Sequence, residues 1–173
     1  MSRLFVFVWV LWGLGCGTFV APVQAGSDAF FSASSTDLQQ VLTQARQERK
    51  GLVALFEMAG CSECRKLRET VLRDPAVQNY YRQHFLSVSF DLASLTPLTD
   101  FTGQTVTPVQ LALAYRVRVS PTLVFYDASG QPVTHFTGPI QDAAEFLQLG
   151  RYVADAAYES APFRTYQQQH SAR

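Results

Sequence analysis

Two cysteines three positions apart, Cys61 and Cys64, are the residues with the clearest capacity for chemistry. They stand between an apolar run over residues 52–56, typical of a buried strand, and a charged run over residues 65–69, typical of a helix. A thiol that opens a helix lies among free backbone N–H groups at the positive end of the helix dipole, which favours the reactive thiolate. The second thiol then lies on the same helix face, within the separation that a disulfide tolerates. The spacing predicts a thiol–disulfide exchange site.

Two other roles for the cysteine pair are weaker. As a structural staple the pair would add little stability, because the stabilisation from a disulfide grows with the length of the loop that it closes. A structural zinc site needs four ligands, and His84, His135 and His170 are not in a paired spacing. We expect neither a metal nor a cofactor. A metal-handling chaperone that uses Cys61, Cys64 and His135 is the non-enzymatic alternative.

The N-terminus has the pattern of an export signal. Arg3 precedes an almost entirely apolar stretch over residues 4–14, and residues 23–25 offer the small side chains that a signal peptidase recognises. We expect residues 1–25 to be a signal peptide, cleaved after Ala25, and the protein to be periplasmic. An uncleaved membrane anchor and a lipoprotein site at Cys16 are the alternatives.

Composition and charge limit the remaining function classes. The chain has 173 residues with 14 basic and 14 acidic side chains, and no basic tract indicates a nucleic acid partner. Cleavage would leave two cysteines, so the stability of an exported chain must come from a hydrophobic core rather than from a disulfide framework. We expect one domain over residues 26–173, with its core over about residues 36–158, and a monomer, because no third cysteine is left to link two chains.

The predicted order of elements is helix, strand, redox helix, strand, helix, hairpin, helix. Thr36 is the expected N-cap of the first helix, and Pro75 the first residue of the helix that follows the redox helix. Alternating strands and helices predict a parallel core with one antiparallel hairpin at its end and helices on both faces. The remaining predicted strands cover residues 85–92, 123–126 and 133–136, and the remaining predicted helices cover residues 109–115 and 141–158.

The cysteine motif after a strand, Ser120-Pro121-Thr122 before a hairpin and the closing helix together resemble the thioredoxin fold. Within that superfamily, several features resemble exported thioredoxin-like proteins of the SoxW type. These features are residues 56–61, the helix restart at Asp74-Pro75, an insertion before the third helix and residues 151–158. The resemblance implies an α/β, thioredoxin-like fold, in which a central mixed sheet is flanked by helices on both faces.

The resemblance also implies roles for individual residues. Cys61 would be the nucleophile and Cys64 the resolving thiol. The Ser120–Pro121 bond would be cis, which would bring the Ser120 backbone beside the cysteines to pair with an extended substrate segment. A trans proline that merely starts a strand is the alternative. Gly60, where thioredoxins carry tryptophan, is assigned to the substrate-binding surface.

The strand before the motif departs from the thioredoxin pattern. The usual buried aspartate falls at Leu55, and Glu57 lies two residues on, which places it on the same face of the strand. We hypothesise that Glu57 takes the role of the aspartate and exchanges a proton with Cys64 during resolution. A solvated loop carboxylate is the alternative.

The direction of the reaction is predicted from Glu63, between the two cysteines. Its carboxylate opposes the helix dipole beside the reactive thiolate, and the motif has no histidine that would strongly stabilise the reduced form. We therefore predict a reductase of protein disulfides, with a disulfide isomerase or oxidase as the alternative. The resemblance implies disulfide-containing client proteins and a membrane-embedded electron donor of the CcdA or DsbD kind.

The stretch over residues 93–107 is longer than a plain thioredoxin connection. Its two short alternating pieces about Gly103 predict a small hairpin. The hairpin either shapes a partner surface or is a simple surface loop. The aromatic pairs at residues 30–31 and 163–166 similarly either pack across the domain or touch a partner.

Overall fold

The computed structural model describes residues 27–33, 36–140 and 142–170. The expected signal peptide, its cleavage point and the anchor and lipoprotein alternatives therefore lie outside the described residues. No helix within the described ranges is both long enough and apolar enough to cross a membrane.

In chain order the helices and strands are α1 (Leu38–Glu48), β1 (Gly51–Glu57), α2 (Ser62–Glu69), α3 (Pro75–His84), β2 (Phe85–Asp91), β3 (Leu98–Thr99), β4 (Thr105–Val106), α4 (Pro108–Ala114), β5 (Thr122–Tyr126), β6 (Pro132–Thr137), α5 (Ala143–Ala154) and α6 (Phe163–His170).

The central sheet is mixed, with the strand order β2-β1-β5-β6. β1 and β2 pair in parallel, with Glu57 opposite Asp91 at their carboxyl ends. β5 begins where β1 ends, with Thr122 opposite Phe56, and so runs antiparallel to β1. β6 returns antiparallel to β5. The predicted parallel core is thus confined to β1 and β2, and the mixed sheet of the thioredoxin-like fold is confirmed.

Helices cover both faces of the sheet, as predicted. The alternation of side chains along β1 separates two cores, because successive residues of a strand point to opposite faces. Val53 and Leu55 pack with buried residues of α2, α3 and α5 and with Tyr166 of α6. Leu52 and Phe56 pack with buried residues of α1 and α4 on the other face.

Two helix starts depend on aspartates. Asp37, rather than the predicted Thr36, caps α1, and its Oδ1 accepts a hydrogen bond of 3.0 Å from the N–H of Gln40. Asp74 caps α3, with Pro75 at the first helical position as predicted. An extended residue with a side-chain oxygen satisfies the free N–H groups of the first turn. Both caps fit that rule, and the N-cap predicted for α1 was one residue too early.

The carboxyl-terminal part differs from the single predicted helix over residues 141–158. α5 ends at Ala154, and the left-handed Ala156, with φ of 51°, breaks the helix. The chain then forms α6, whose Phe163 and Tyr166 rings lie 5.3 Å from the Tyr152 ring, centroid to centroid. At the other end of the described chain, Phe30 is buried in the same core. Both aromatic segments therefore pack across the domain.

The predicted hairpin in the insertion is confirmed as β3 and β4, which pair antiparallel. Asp100 closes its turn, because its Oδ1 accepts hydrogen bonds from the N–H groups of Thr102 and Gln104. Phe101, in the turn, lies 4.9 Å from the Tyr126 ring, at the end of β5 farthest from the cysteines. The tip of the hairpin is thus a packed structural feature.

Candidate active site

The two cysteines form a disulfide at the start of α2, with a Cα–Cα distance of 5.3 Å. Cys61 is the N-cap of the helix, and its Sγ accepts a hydrogen bond of 3.1 Å from the N–H of Cys64. Cys64 is only 3% exposed, whereas Cys61 is partly exposed. The pair therefore has one sulfur-bearing residue within reach of a partner and one that is covered by the fold.

The turn before β5 lies at the same end of the sheet as the cysteines. The Ser120–Pro121 peptide bond is cis, which is the geometry that the resemblance implied. Thr122 Oγ1 donates to the carbonyl of Val119 at 2.8 Å, and the Pro121 carbonyl accepts from the N–H of Gly138 at 3.0 Å. Because Thr122 pairs with Phe56, this turn and the loop that leads to Cys61 leave the same end of the sheet.

Glu57 lies at the end of β1 and forms an ion pair with Arg68 of α2. Arg68 Nε donates to Glu57 Oε2 at 2.8 Å, and Arg68 Nη2 donates to Glu57 Oε1. The Glu57 side chain is 14% exposed and the Arg68 side chain 25%. Glu57 is therefore a paired, mostly buried carboxylate rather than the solvated loop residue of the alternative.

Sequence reasoning missed Arg68, although a signal was present. Arg68 follows Cys64 by four positions, and residues four apart lie on the same face of a helix. The guanidinium has two more neighbours: Nη2 donates to Ser89 Oγ at 3.3 Å, and the Phe31 ring lies 4.6 Å below the guanidinium carbon. These contacts come from β2 and from the segment before α1, so only the folded chain reveals them.

The segment that carries Phe31 runs along the outer edge of β2. The N–H groups of Ser32 and Ala33 donate to the carbonyl of Ser87 at 3.0 and 3.3 Å. The N–H of Ser87 donates to Ser32 Oγ at 3.0 Å. An unpaired sheet edge exposes backbone groups to other chains, and this segment covers part of that edge.

Two adjoining cavities lie beside the disulfide, on the β2 side of β1. The first, of about 410 Å³, is lined by Cys61, Cys64 and the loop before them. The second, of about 330 Å³, is lined by Ser94, Thr96 and Pro97 at the start of the insertion. Both cavities share the side chains Glu57, Arg68 and Asp91. The Glu57–Arg68 ion pair therefore lies where the cavity beside the disulfide meets the cavity beside the insertion.

The comparison with known families decides the classification. A model of the thioredoxin-like domain family matches residues 38–154. The chain belongs to the thioredoxin-like family.

Individual relatives agree with this membership. The chain is 32% identical over 114 residues to the thiol:disulfide interchange protein DsbD of Vibrio vulnificus, an alignment that covers 65% of this chain and 17% of that protein. A thioredoxin-fold protein from Helicobacter pylori superposes with a TM-score of 0.67 at 17% identity, over 86% of this chain and 96% of that one. A thioredoxin from Thermus thermophilus gives a TM-score of 0.55 at 25% identity, over 68% of this chain and 84% of that one.

Within this family, the Cys61–Cys64 disulfide at the start of α2 is the group suited to thiol–disulfide exchange. His135 is the third residue of the metal-handling alternative. His135 lies on β6, opposite Val124 of β5, and its Nε2 lies 3.0 Å from the carbonyl oxygen of Tyr115. Within the described part of the chain, no group of three or more His, Cys, Asp or Glu side chains could hold a metal ion.

Proposed function

We propose that this thioredoxin-like protein is an exported reductase of protein disulfides. The observation that carries the proposal is the Cys61–Cys64 disulfide at the start of α2, at the end of the sheet where the cis Ser120–Pro121 turn also lies. The more exposed Cys61 is the proposed nucleophile, and the buried Cys64 is the proposed resolving thiol.

The proposed reaction passes two electrons from the dithiol form to a client. The Cys61 thiolate attacks a client disulfide, whose S–S bond breaks, and the first client thiolate leaves. The Cys64 thiolate then attacks Cys61 Sγ in the mixed disulfide, and the second client thiolate leaves. The client is reduced and the Cys61–Cys64 disulfide forms. A dithiol donor must then reduce this disulfide before the next cycle.

We assign the binding of clients to the surface around the disulfide. An extended client segment would pair with the backbone of Ser120, as an added strand pairs with a sheet edge, and would pass over Gly60 and Pro121. Two large apolar side chains flank this path, since Met58 is 50% exposed and Val119 is 52% exposed. Such exposed apolar side chains suit contact with a protein partner.

The proposed direction rests on Glu63 and on the likeness to the DsbD segment. Glu63 lies in the first turn of α2. Its negative charge offsets the stabilisation that the positive end of the helix dipole would give to the Cys61 thiolate. The aligned segment covers 17% of the DsbD protein. Because the likeness covers so small a part of DsbD, a membrane donor of the DsbD or CcdA type belongs to the proposal. The proposal also includes the SoxW-type assignment, a signal peptide over residues 1–25, a periplasmic location and a monomer of one domain over residues 26–173.

The first test is the reduction potential of the Cys61–Cys64 pair. The purified mature domain is equilibrated with dithiothreitol or glutathione buffers, and the dithiol fraction is measured by thiol alkylation and mass spectrometry. We expect a value near that of thioredoxin, about −270 mV. A value near about −120 mV, typical of strongly oxidising family members, would make the protein a disulfide-introducing enzyme.

A second test separates the roles of the two cysteines. We expect Cys64→Ser to accumulate a mixed disulfide with a model protein disulfide, because the resolving attack is lost. Cys61→Ser should form none, because the nucleophile is absent. The adducts are counted on non-reducing gels and located by peptide mass mapping. Equal trapping by both variants would reject the assignment of Cys61 as the nucleophile.

A further inference from the structure

We propose that Arg68 is a positioning residue that holds the Glu57 carboxylate in the cavity that Cys64 also lines. From that fixed place Glu57 exchanges a proton with Cys64 in the resolving step. This inference rests on the proposed function and adds to it a residue that acts through another. Arg68 itself contacts neither the client nor the reacting sulfur atoms in this mechanism.

The contacts of Arg68 support a holding role. Its guanidinium donates to both carboxylate oxygens of Glu57. Two such bonds fix the orientation of the carboxylate plane as well as its distance from the guanidinium. Ser89 and the Phe31 ring hold the guanidinium from two further directions. Arginine is suited to this use, because its planar fork matches a carboxylate and loses little freedom per hydrogen bond.

Glu57 needs such a holder because of where it stands. The position that carries a buried carboxyl in thioredoxins is Leu55 in this chain, which is fully buried in the core. Glu57 instead ends the strand, on the same face as Leu55 and at the wall of the open cavity. A long side chain at a strand end can turn towards water, and proton transfer depends on a close, fixed geometry.

The step itself transfers one proton. In the mixed disulfide the Cys64 thiol gives its proton to the Glu57 carboxylate, and the resulting thiolate attacks Cys61 Sγ. The client thiolate leaves, and Glu57 later returns the proton to solvent. An arginine pairs with the ionised carboxylate, the form that can accept a proton, so the ion pair is compatible with this role.

Other charged groups face the same cavity and must be controlled for. Arg65 also lines the cavity from α2, is exposed, and carries the same charge as Arg68. Arg65→Gln therefore removes one positive charge from the same cavity wall and leaves the Glu57–Arg68 pair in place. The remaining charged side chains that line the cavity are Glu69 of α2, Arg73 after it and Asp91 at the end of β2.

The experiment follows the resolving step directly. The reduced mature domain is mixed with an aromatic disulfide, 5,5′-dithiobis(2-nitrobenzoic acid), in a stopped-flow instrument. The first coloured thiolate reports the attack by Cys61, and the second reports the release by Cys64. Rates of the second release are measured between about pH 5 and about pH 9 for the wild type and four variants. This range runs from just above the ordinary pKa of a glutamate to just above that of a thiol. The variants are Glu57→Gln, Arg68→Gln, the double variant and Arg65→Gln.

We expect Glu57→Gln and Arg68→Gln to slow the second release about tenfold near pH 6 and to move its rise to higher pH. The double variant should be no slower than either single variant, because Arg68 acts through Glu57. Arg65→Gln should change the rate by less than about threefold, the effect of an exposed charge.

Three outcomes would overturn the inference. They are a wild-type pH profile in Arg68→Gln, an additive loss in the double variant, and an equal loss in Arg65→Gln. The last two would make Arg68 a source of charge rather than a positioning residue. Circular dichroism checks that each variant is folded. If the wild type itself showed no second release, the proposed function would fail instead, so the two failures are distinguishable.

Discussion

Gly60 makes the sharp turn between the end of β1 and Cys61. Its φ of +82° lies in the left-handed region, which side chains with a Cβ atom rarely adopt. A Cβ atom added at Gly60 would meet nothing within 4 Å, so the space around the residue is open. The backbone conformation alone therefore requires glycine at this position.

We expect Gly60→Ala to lower the free energy of unfolding by about 1 kcal/mol, because alanine is strained at this φ. Gly60→Asn should cost less, since asparagine tolerates the left-handed region better than other side chains. Urea unfolding of the oxidised mature domain measures both changes. Equal losses for alanine and asparagine would argue against the backbone conformation as the reason for glycine.

Asp74 joins the redox helix to α3 and determines where α3 begins. Its Oδ1 accepts hydrogen bonds from the N–H groups of Ala76 at 2.8 Å and Val77 at 3.2 Å. α3 then places Val77 and Tyr81 in the core beneath the site. A weaker cap would therefore affect the helix that packs against α5.

We expect Asp74→Ala to destabilise the domain by about 1 kcal/mol, because two N–H groups lose their acceptor. Asp74→Ser keeps a capping oxygen and should lose much less. Urea unfolding measures the difference, and the thiol exchange rates serve as a control that should not change. A loss for serine as large as that for alanine would argue against the cap.

Local signals explain which elements the sequence predicted. The Asp74-Pro75 start of α3 and the hairpin about Gly103 were correct, because a few neighbouring residues determine them. The Glu57–Arg68 pair and the cover that Ser32 gives to β2 were not predicted. Both join residues that are distant in the sequence, by 11 positions for the ion pair. No local pattern predicts such a contact, although the helix period does place Arg68 on the same helix face as Cys64.

At the scale of the whole molecule, Tyr81 links α3 to α5 in the core that also contains Leu55 of β1. It is fully buried, its hydroxyl donates to the Phe146 carbonyl at 2.8 Å, and its ring stacks on the Phe146 ring. Burial raises the pKa of Tyr81 well above the ordinary tyrosine value, with a smaller contribution from Tyr80. The folded chain therefore resists a deprotonation that the unfolded chain undergoes freely.

This difference predicts a loss of stability in alkali. The contribution is complete below the unfolded tyrosine pKa of about 10 and is lost as the pH rises through the higher folded pKa. We expect Tyr81→Phe to flatten this loss above about pH 10. The variant should also cost about 1 kcal/mol at neutral pH, where the Phe146 carbonyl loses its partner. Urea unfolding across pH measures both effects, and an unchanged alkaline slope would contradict the assignment to Tyr81.

The contacts of residues 31–33 imply an order of events in time. Ser32 bonds to Ser87, which follows it by 55 positions, so this contact closes a long loop. A chain that emerges from its amino end presents Ser32 well before β2 exists. We therefore expect Phe31 to settle against Arg68 late in folding, after the sheet has formed. Residues 31–33, among the first of the described residues to emerge, would be among the last to form their native contacts.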